Sequence, residues 1–246
     1  MTALFVMARH VSHTLSFLAL LGAPVEVAKA GAPYITDDPG IPDRGQFDLY
    51  LFTTGAIGEP GGTFGLELNY ALTDDVQLTA NVPMERDVGG PIPQTVLGNP
   101  ELAAKYRFIR QDDFGWDVAT APRLFLPSAA NGGSKIFIPV WIGKSLDKWS
   151  TFGGGGCTID AKSGGKNHCI AGWAVTYQIA QSLSLGTEIY RQGAETTGGH
   201  SSTGLGLGFQ YTAGKSIQLL TALGPRFEDV TGETQVGWHI SVLLSF

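Results

Sequence analysis

Apolar and polar residues alternate with a period of two along most of this chain. Phe64, Leu66, Leu68, Tyr70 and Leu72 share one face of a segment whose other face carries Gly65, Glu67, Asn69 and Ala71. Val76, Leu78, Ala80, Val82 and Met84 alternate in the same way with Gln77, Thr79, Asn81, Pro83 and Glu85, and only Thr73-Asp74-Asp75 separates the two runs. Such alternation puts successive side chains on opposite faces of a strand, and a short polar break between two such runs is a hairpin turn. The pattern returns with Leu102, Ala104, Tyr106 and Phe108, and again with Leu205, Leu207, Phe209 and Tyr211. Read to the end, it predicts about twelve strands: 45–56, 63–72, 76–85, 99–110, 116–127, 136–146, 149–160, 169–179, 183–193, 203–213, 217–227 and 235–246. The connections alternate in length, short at 73–75, 111–115, near Asp147, 180–182 and 214–216, longer at 86–98, 128–135, 161–168, 194–202 and 228–234.

Segments of about ten residues with one apolar and one polar face, joined by alternately short and long connections, are the pattern of a transmembrane barrel. If the first strand enters from the periplasmic side, Phe47, Tyr70, Phe108, Trp116, Trp149, Tyr177, Tyr211 and Phe246 all fall at the periplasmic strand ends. They lie on the apolar face there, where amphipathic rings sit at headgroup depth. The fold class expected is therefore all-β: an up-and-down antiparallel barrel of about twelve strands over residues 45–246.

Composition agrees with this and narrows the class. Charged residues are 15% of the chain, against roughly 25% in soluble domains, and glycine is high at 34 of 246. Lys and Arg number 16 against 22 Asp and Glu, a net charge of -6, which argues against nucleic acid as a partner. The first thirty residues carry Arg9 and His10, the apolar run Leu15–Val25 and a small-x-small end at Ala28-Lys29-Ala30. That is the form of a cleaved signal peptide over 1–30. No later apolar run approaches the roughly 18 residues of a membrane-spanning helix. An exported chain without such a run is either a periplasmic β-protein or an outer-membrane barrel, and the alternation decides for the barrel, among the lipid and lipopolysaccharide of the outer membrane. The last strand alternates Trp238, Ile240, Val242, Leu244 and Phe246 on its apolar face, a pattern resembling the signal that the outer-membrane assembly machinery reads.

Several stretches carry a family likeness: TDDPG at Thr36–Gly40, ELNYALTDDVQLTANVP at Glu67–Pro83, GNPELAAKYRF at Gly98–Phe108, KSLDKWSTFGGGG at Lys144–Gly156, AGWAV at Ala171–Val175 and LGTEIYRQ at Leu185–Gln192. On these the chain resembles the outer-membrane barrels of the MetA-pathway of phenol degradation family. The resemblance implies a transporter-like barrel that lets small, often aromatic or hydrophobic, molecules cross passively. It implies no catalytic set and no cofactor.

The polar face should line the lumen. It collects Glu67, Asn69, Gln77, Asn81, Glu101, Lys105, Arg107, Asp117, Arg123, Glu188, Tyr190, Gln218 and His239. Two readings of its charges stand: a transverse field that selects solutes, or mutual neutralisation inside a closed barrel. Twelve strands fall between the filled eight-stranded barrel and the open porin, which predicts a narrow passage. The glycine row Gly204, Gly206 and Gly208 should leave one wall bare. Residues 31–44, rich in Pro and with Asp37, Asp38 and Asp43, form either a luminal plug or a periplasmic linker, and composition alone favours the linker. Those aspartates lack the glycine-spaced loop and closing Glu of a calcium site, so no metal is expected. Cys157 and Cys169 are the only cysteines, an even count in an oxidising compartment, and predict a disulfide across the hairpin. A Cys–Cys–His zinc site with His168 is the rival and lacks a fourth ligand. His239 and Ser241 share a face of the last strand, as in a barrel lipid hydrolase, but that face points away from lipid. The functions in view are thus a passive channel, a lipid hydrolase on His239 and Ser241, or a closed structural barrel.

Overall fold

Hairpin after hairpin, the alternating segments pair with their sequence neighbours and close on themselves. The computed structural model describes residues 33–88, 92–128, 132–161 and 165–246; the expected leader, 1–30, lies outside them. The strands are β1 (Phe47–Ala56), β2 (Gly62–Thr73), β3 (Val76–Asp87), β4 (Gln94–Leu97), β5 (Glu101–Ile109), β6 (Asp117–Thr120), β7 (Arg123–Phe125), β8 (Lys135–Leu146), β9 (Trp149–Asp160), β10 (His168–Ala180), β11 (Leu183–Gln192), β12 (Ser202–Ala213), β13 (Ile217–Glu228) and β14 (Thr234–Ser245). A single helical turn, α1 (Gln111–Phe114), fills the connection between β5 and β6. It stops at Gly115, whose φ of 80° is the left-handed cap that glycine adopts without strain.

All pairings are antiparallel, and β3 pairs with both β4 and β5 while β8 pairs with both β6 and β7. β4 with β5, and β6 with β7, are therefore single staves interrupted once, and the barrel has twelve staves. It closes between β1 and β14, where Phe47 and Phe246 exchange backbone hydrogen bonds of 2.8 and 3.0 Å. The two interruptions lie on neighbouring staves, at Pro100 and Pro122. Proline brings no N–H to a ladder, so the staves break there and reconnect through the proline carbonyls: Leu126 donates to Pro100 at 2.8 Å and Ala104 to Pro122 at 3.2 Å. The strands expected at 99–110 and 116–127 are thus each broken. The connection expected at 86–98 is part strand, because β3 runs on to Asp87 and returns as β4.

The outward face is apolar along the staves. Leu66, Leu102, Ile138, Ile189 and Leu207 are each about half exposed or more, a cost of some 1.5–3 kcal/mol apiece in water that vanishes in hydrocarbon. The expected aromatic positions cluster in rings of contact at one end. Phe47 stacks on Tyr70 at 4.4 Å and on Phe246 at 5.8 Å, and Trp149 meets Tyr177 at 4.6 Å. Trp238, Ile240, Val242 and Leu244 take the outward face of β14. Among the described residues no helix is long and apolar enough to cross a membrane.

Residues 33–44 are not a linker. Tyr34, Thr36 and Ile41 are buried, and the segment runs inside the barrel against β5, β7, β8, β10, β11 and β12. Composition misleads here because a Pro-rich polar stretch is equally at home in solvent and in a polar lumen.

Candidate functional site

The inner wall is built by the residues that the alternation turns away from lipid, and cross-strand register sets their heights. Asp48 of β1 lies opposite Asn69, and Tyr50 opposite Glu67. Asn69 faces Thr79 and Glu67 faces Asn81, while Gln77 faces Lys105 and Asn81 faces Glu101. Arg123 sits beside Ala103 on the neighbouring stave. These staves make one charged and amide-rich stretch of the lumen wall. Its polar groups pair laterally: Asn69 donates to Glu67 at 3.0 Å, Asn81 to Glu67 at 3.4 Å and Gln77 to Thr79 at 3.2 Å.

Next to it, β8 and β9 carry an apolar stretch of wall. Phe137, Pro139, Trp141 and Gly143 of β8 point inward beside Thr158, Gly156, Gly154 and Phe152 of β9. Phe137 and Trp141 pack with Ala121, and with Phe125 and Ile170 at the edge. The Trp141 indole N–H is buried there without a hydrogen-bond partner. Sequence patterning misses this wall, although a signal exists: Phe137 and Trp141 alternate with Ile136, Ile138, Val140 and Ile142, so β8 has no polar face between Ile136 and Gly143.

The N-terminal segment bridges the two stretches. The Glu188 carboxylate accepts the backbone N–H groups of Ile35 and Thr36, both at 3.1 Å. One turn on, Asp37 accepts from Lys105 at 3.0 Å and from Arg123 at 2.7 Å, and Lys105 also donates to the Asp38 carbonyl at 2.7 Å. Arg123 reaches Glu101 as well, at 3.5 Å. Burial alone would push the Asp37 carboxyl up, but the charges of Lys105 and Arg123 and their hydrogen bonds hold it below the usual carboxylate range. Tyr34 packs on Phe152 and Ala174. Burial first, and the Glu188 charge second, push its phenol above the ordinary tyrosine value, so it stays neutral.

Glycines in the wall make room for this segment. A side chain at Gly172 would collide with the Thr36 hydroxyl, at Gly143 with the Pro39 ring, and at Gly186 or Gly208 with Tyr34. The glycine row of β12 does not leave a bare wall: Tyr34 fills the space over Gly208, Glu188 that over Gly206, and Tyr190 that over Gly204. What remains beside Asp37 is a polar cavity of about 100 Å³, lined among others by Asp48, Tyr50, Glu67, Asn69, Lys105 and Arg123.

The sequence-predicted lining residues are thus unevenly placed. Glu67, Asn69, Gln77, Glu101, Lys105 and Arg123 converge around Asp37, Asn81 stands behind them on Glu67, and Glu188 holds the segment from the far side. Arg107 and Asp117 lie apart, toward the end where Arg107 approaches Asp75 at 3.5 Å and Asp117 at 3.7 Å. Gln218 faces Thr212 and Leu243 on neighbouring staves. His239 lies against Phe52, its ring 6.4 Å away, and neither His239 Nε2 nor Ser241 Oγ has a hydrogen-bond partner. Imidazole and hydroxyl are not coupled, which a serine nucleophile requires. Cys157 and Cys169 form a disulfide across directly opposed positions of β9 and β10. Among the described residues no three His, Cys, Asp or Glu side chains gather as a metal site.

A closed antiparallel barrel with an apolar exterior and a polar, partly filled lumen is the architecture of an outer-membrane β-barrel. The chain belongs to the family described as "Putative MetA-pathway of phenol degradation", whose model matches residues 85–244. The fold is similar to an outer membrane channel from Pseudomonas putida F1, at 14% identity and a TM-score of 0.64, over 84% of this chain and 97% of that one. It is also similar to the KdgM porin, at 12% identity and 0.60, over 81% and 99%. The NanC porin follows at 14% and 0.58, over 80% and 98%. No curated protein matches the sequence.

Proposed function

We propose that the protein is a passive outer-membrane channel for small aromatic or otherwise apolar solutes, reached by export behind a leader over residues 1–30 and inserted by the outer-membrane assembly machinery. The observation that carries this reading is the division of the lumen. An aromatic stretch of Phe137, Trp141 and Phe152 on β8 and β9 adjoins, one stave away, the hydrogen-bonding stretch of Glu67, Asn69 and Lys105. A solute with an apolar body and a polar edge meets complementary surfaces side by side. A closed role, in which the lumen is filled for good, is favoured by residues 33–44, and the two readings part on whether that segment moves. A His239–Ser241 hydrolase draws no support from two uncoupled side chains facing away from lipid.

The test is conductance in planar bilayers together with flux of a neutral aromatic and a sugar into liposomes. A channel of this kind gives discrete steps and carries the aromatic faster than the sugar. Trp141→Ala lowers that ratio without abolishing the steps. A correctly folded barrel with neither conductance nor flux would leave the closed role standing.

A further inference from the structure

Resting on the channel reading, we propose that Lys105 and Arg123 form a binding site for the carboxylate of a small aromatic monoacid. The chain's own Asp37 fills this site until a solute takes its place. Asp37 occupies it as a ligand would: its two carboxylate oxygens are divided between Lys105 Nζ, at 3.0 Å, and Arg123 Nη2, at 2.7 Å.

The local pairing of Lys105 and Arg123 makes the occupant an anion. Lys105 is nearly buried, its side chain 9% exposed, and among the described residues Asp37 is its only salt-bridge partner. A neutral solute that pushed the segment aside would leave that ammonium without the carboxylate that the structure pairs with it. A carboxylate entering as Asp37 leaves keeps the pair intact.

The surroundings choose among anions. Glu101, Glu67 and Asp48 line the same cavity, so a second negative charge on the solute would face three carboxylates and a monoacid is preferred. The Arg123 guanidinium lies over the Phe137 ring, 5.8 Å from its centre, and Phe137 continues into Trp141 and Ala121. An acid whose carboxylate sits between Lys105 and Arg123 therefore has an aromatic surface alongside for its ring.

The probes are benzoate, its neutral counterpart benzyl alcohol, and the diacid terephthalate, at constant ionic strength because salt screens the pair. Benzoate should raise the open fraction of the wild-type channel, and the other two should not at equal concentration. Asp37→Asn should open without solute. In calorimetry it should bind benzoate about tenfold more tightly than wild type, since the site no longer has to be vacated first. Lys105→Gln, where it retains heat-modifiable mobility, should lose the benzoate response. Should that variant not fold, the calorimetric comparison decides alone. Equal opening by benzyl alcohol, or no gain in benzoate affinity in Asp37→Asn, overturns the carboxylate site and leaves the channel intact. Silence of both wild type and Asp37→Asn toward every solute overturns the channel and this site together.

Discussion

Tyr34 lies in the space that a side chain at Gly208 would fill. An added Cβ there would overlap the phenol ring, and one at Gly186 would meet the same hydroxyl. The two glycines, on adjacent inward positions of β11 and β12, are thus one half of a socket whose other half is Phe152 and Ala174. Gly208→Ala should expel the ring while leaving the stave paired, because its backbone is extended. We expect a rise in open fraction on the order of tenfold and faster proteolysis within residues 33–44. An unchanged conductance and an unchanged cleavage pattern would mean that the tyrosine does not hold the segment.

Acid should release the same segment. The groups facing Asp37 are Lys105 and Glu101 on β5, Arg123 on β7, Glu67 on β2 and Asp48 on β1. Because Lys105 and Arg123 outweigh burial and hold the carboxyl low, its contribution to docking is fully present above the free carboxylate value of about 3.9. That contribution is lost as pH falls through the lowered docked value. Conductance should therefore stay flat from neutrality down to roughly pH 4 and rise below it. Asp37→Asn should abolish the transition by removing the titrating group. A midpoint above pH 5 would point to another carboxylate.

The barrel is legible in the sequence and its plug is not, for physical reasons. Each stave is written twice, once in its own alternation and once in the turn that pairs it with its neighbour, so strands such as Trp149–Asp160 emerge with their ends in place. The breaks at Pro100 and Pro122 are less legible: each has a proline inside an alternating run, but so do β3, β8 and β13 at Pro83, Pro139 and Pro225, where the strand runs on. Asp37 has no local signal. Its partners lie 68 and 86 residues away, and Thr36 meets Glu188 at a separation of 152. A Pro-rich polar segment declares only that it needs polar surroundings, and a hydrated lumen offers those as well as solvent does. The glycines that receive it read as open space until the occupant is seen.

The disulfide should matter for stability and not for passage. Cys157 and Cys169 pair on the outward-turned side of the β9–β10 hairpin, at a separation of 12, away from every lumen contact described. Closing a loop of this length contributes about 2–3 kcal/mol in the chain-entropy account. Reduction, or Cys157→Ala with Cys169→Ala, should lower the urea midpoint in detergent accordingly and leave conductance and benzoate response as they were. A change in conductance on reduction would tie the outer loop to the lumen.

Ser241 offers a test with the opposite sign from most core substitutions. It is 1% exposed, and its hydroxyl finds no hydrogen-bond partner. Its neighbours across the ladder are Phe52 and Leu220. A buried hydroxyl that gives up water without gaining a bond is a net cost, so Ser241→Ala should be neutral or stabilising by up to about 1 kcal/mol. Conductance should not change, and neither purified protein should release fatty acid from phospholipid. Fatty-acid release by wild type that disappears in Ser241→Ala would instead make His239 and Ser241 a working pair. The lumen would then have to admit an acyl chain past Phe52, which stacks against His239; the hydroxyl is buried on the face turned away from lipid, and that is why the neutral outcome is expected.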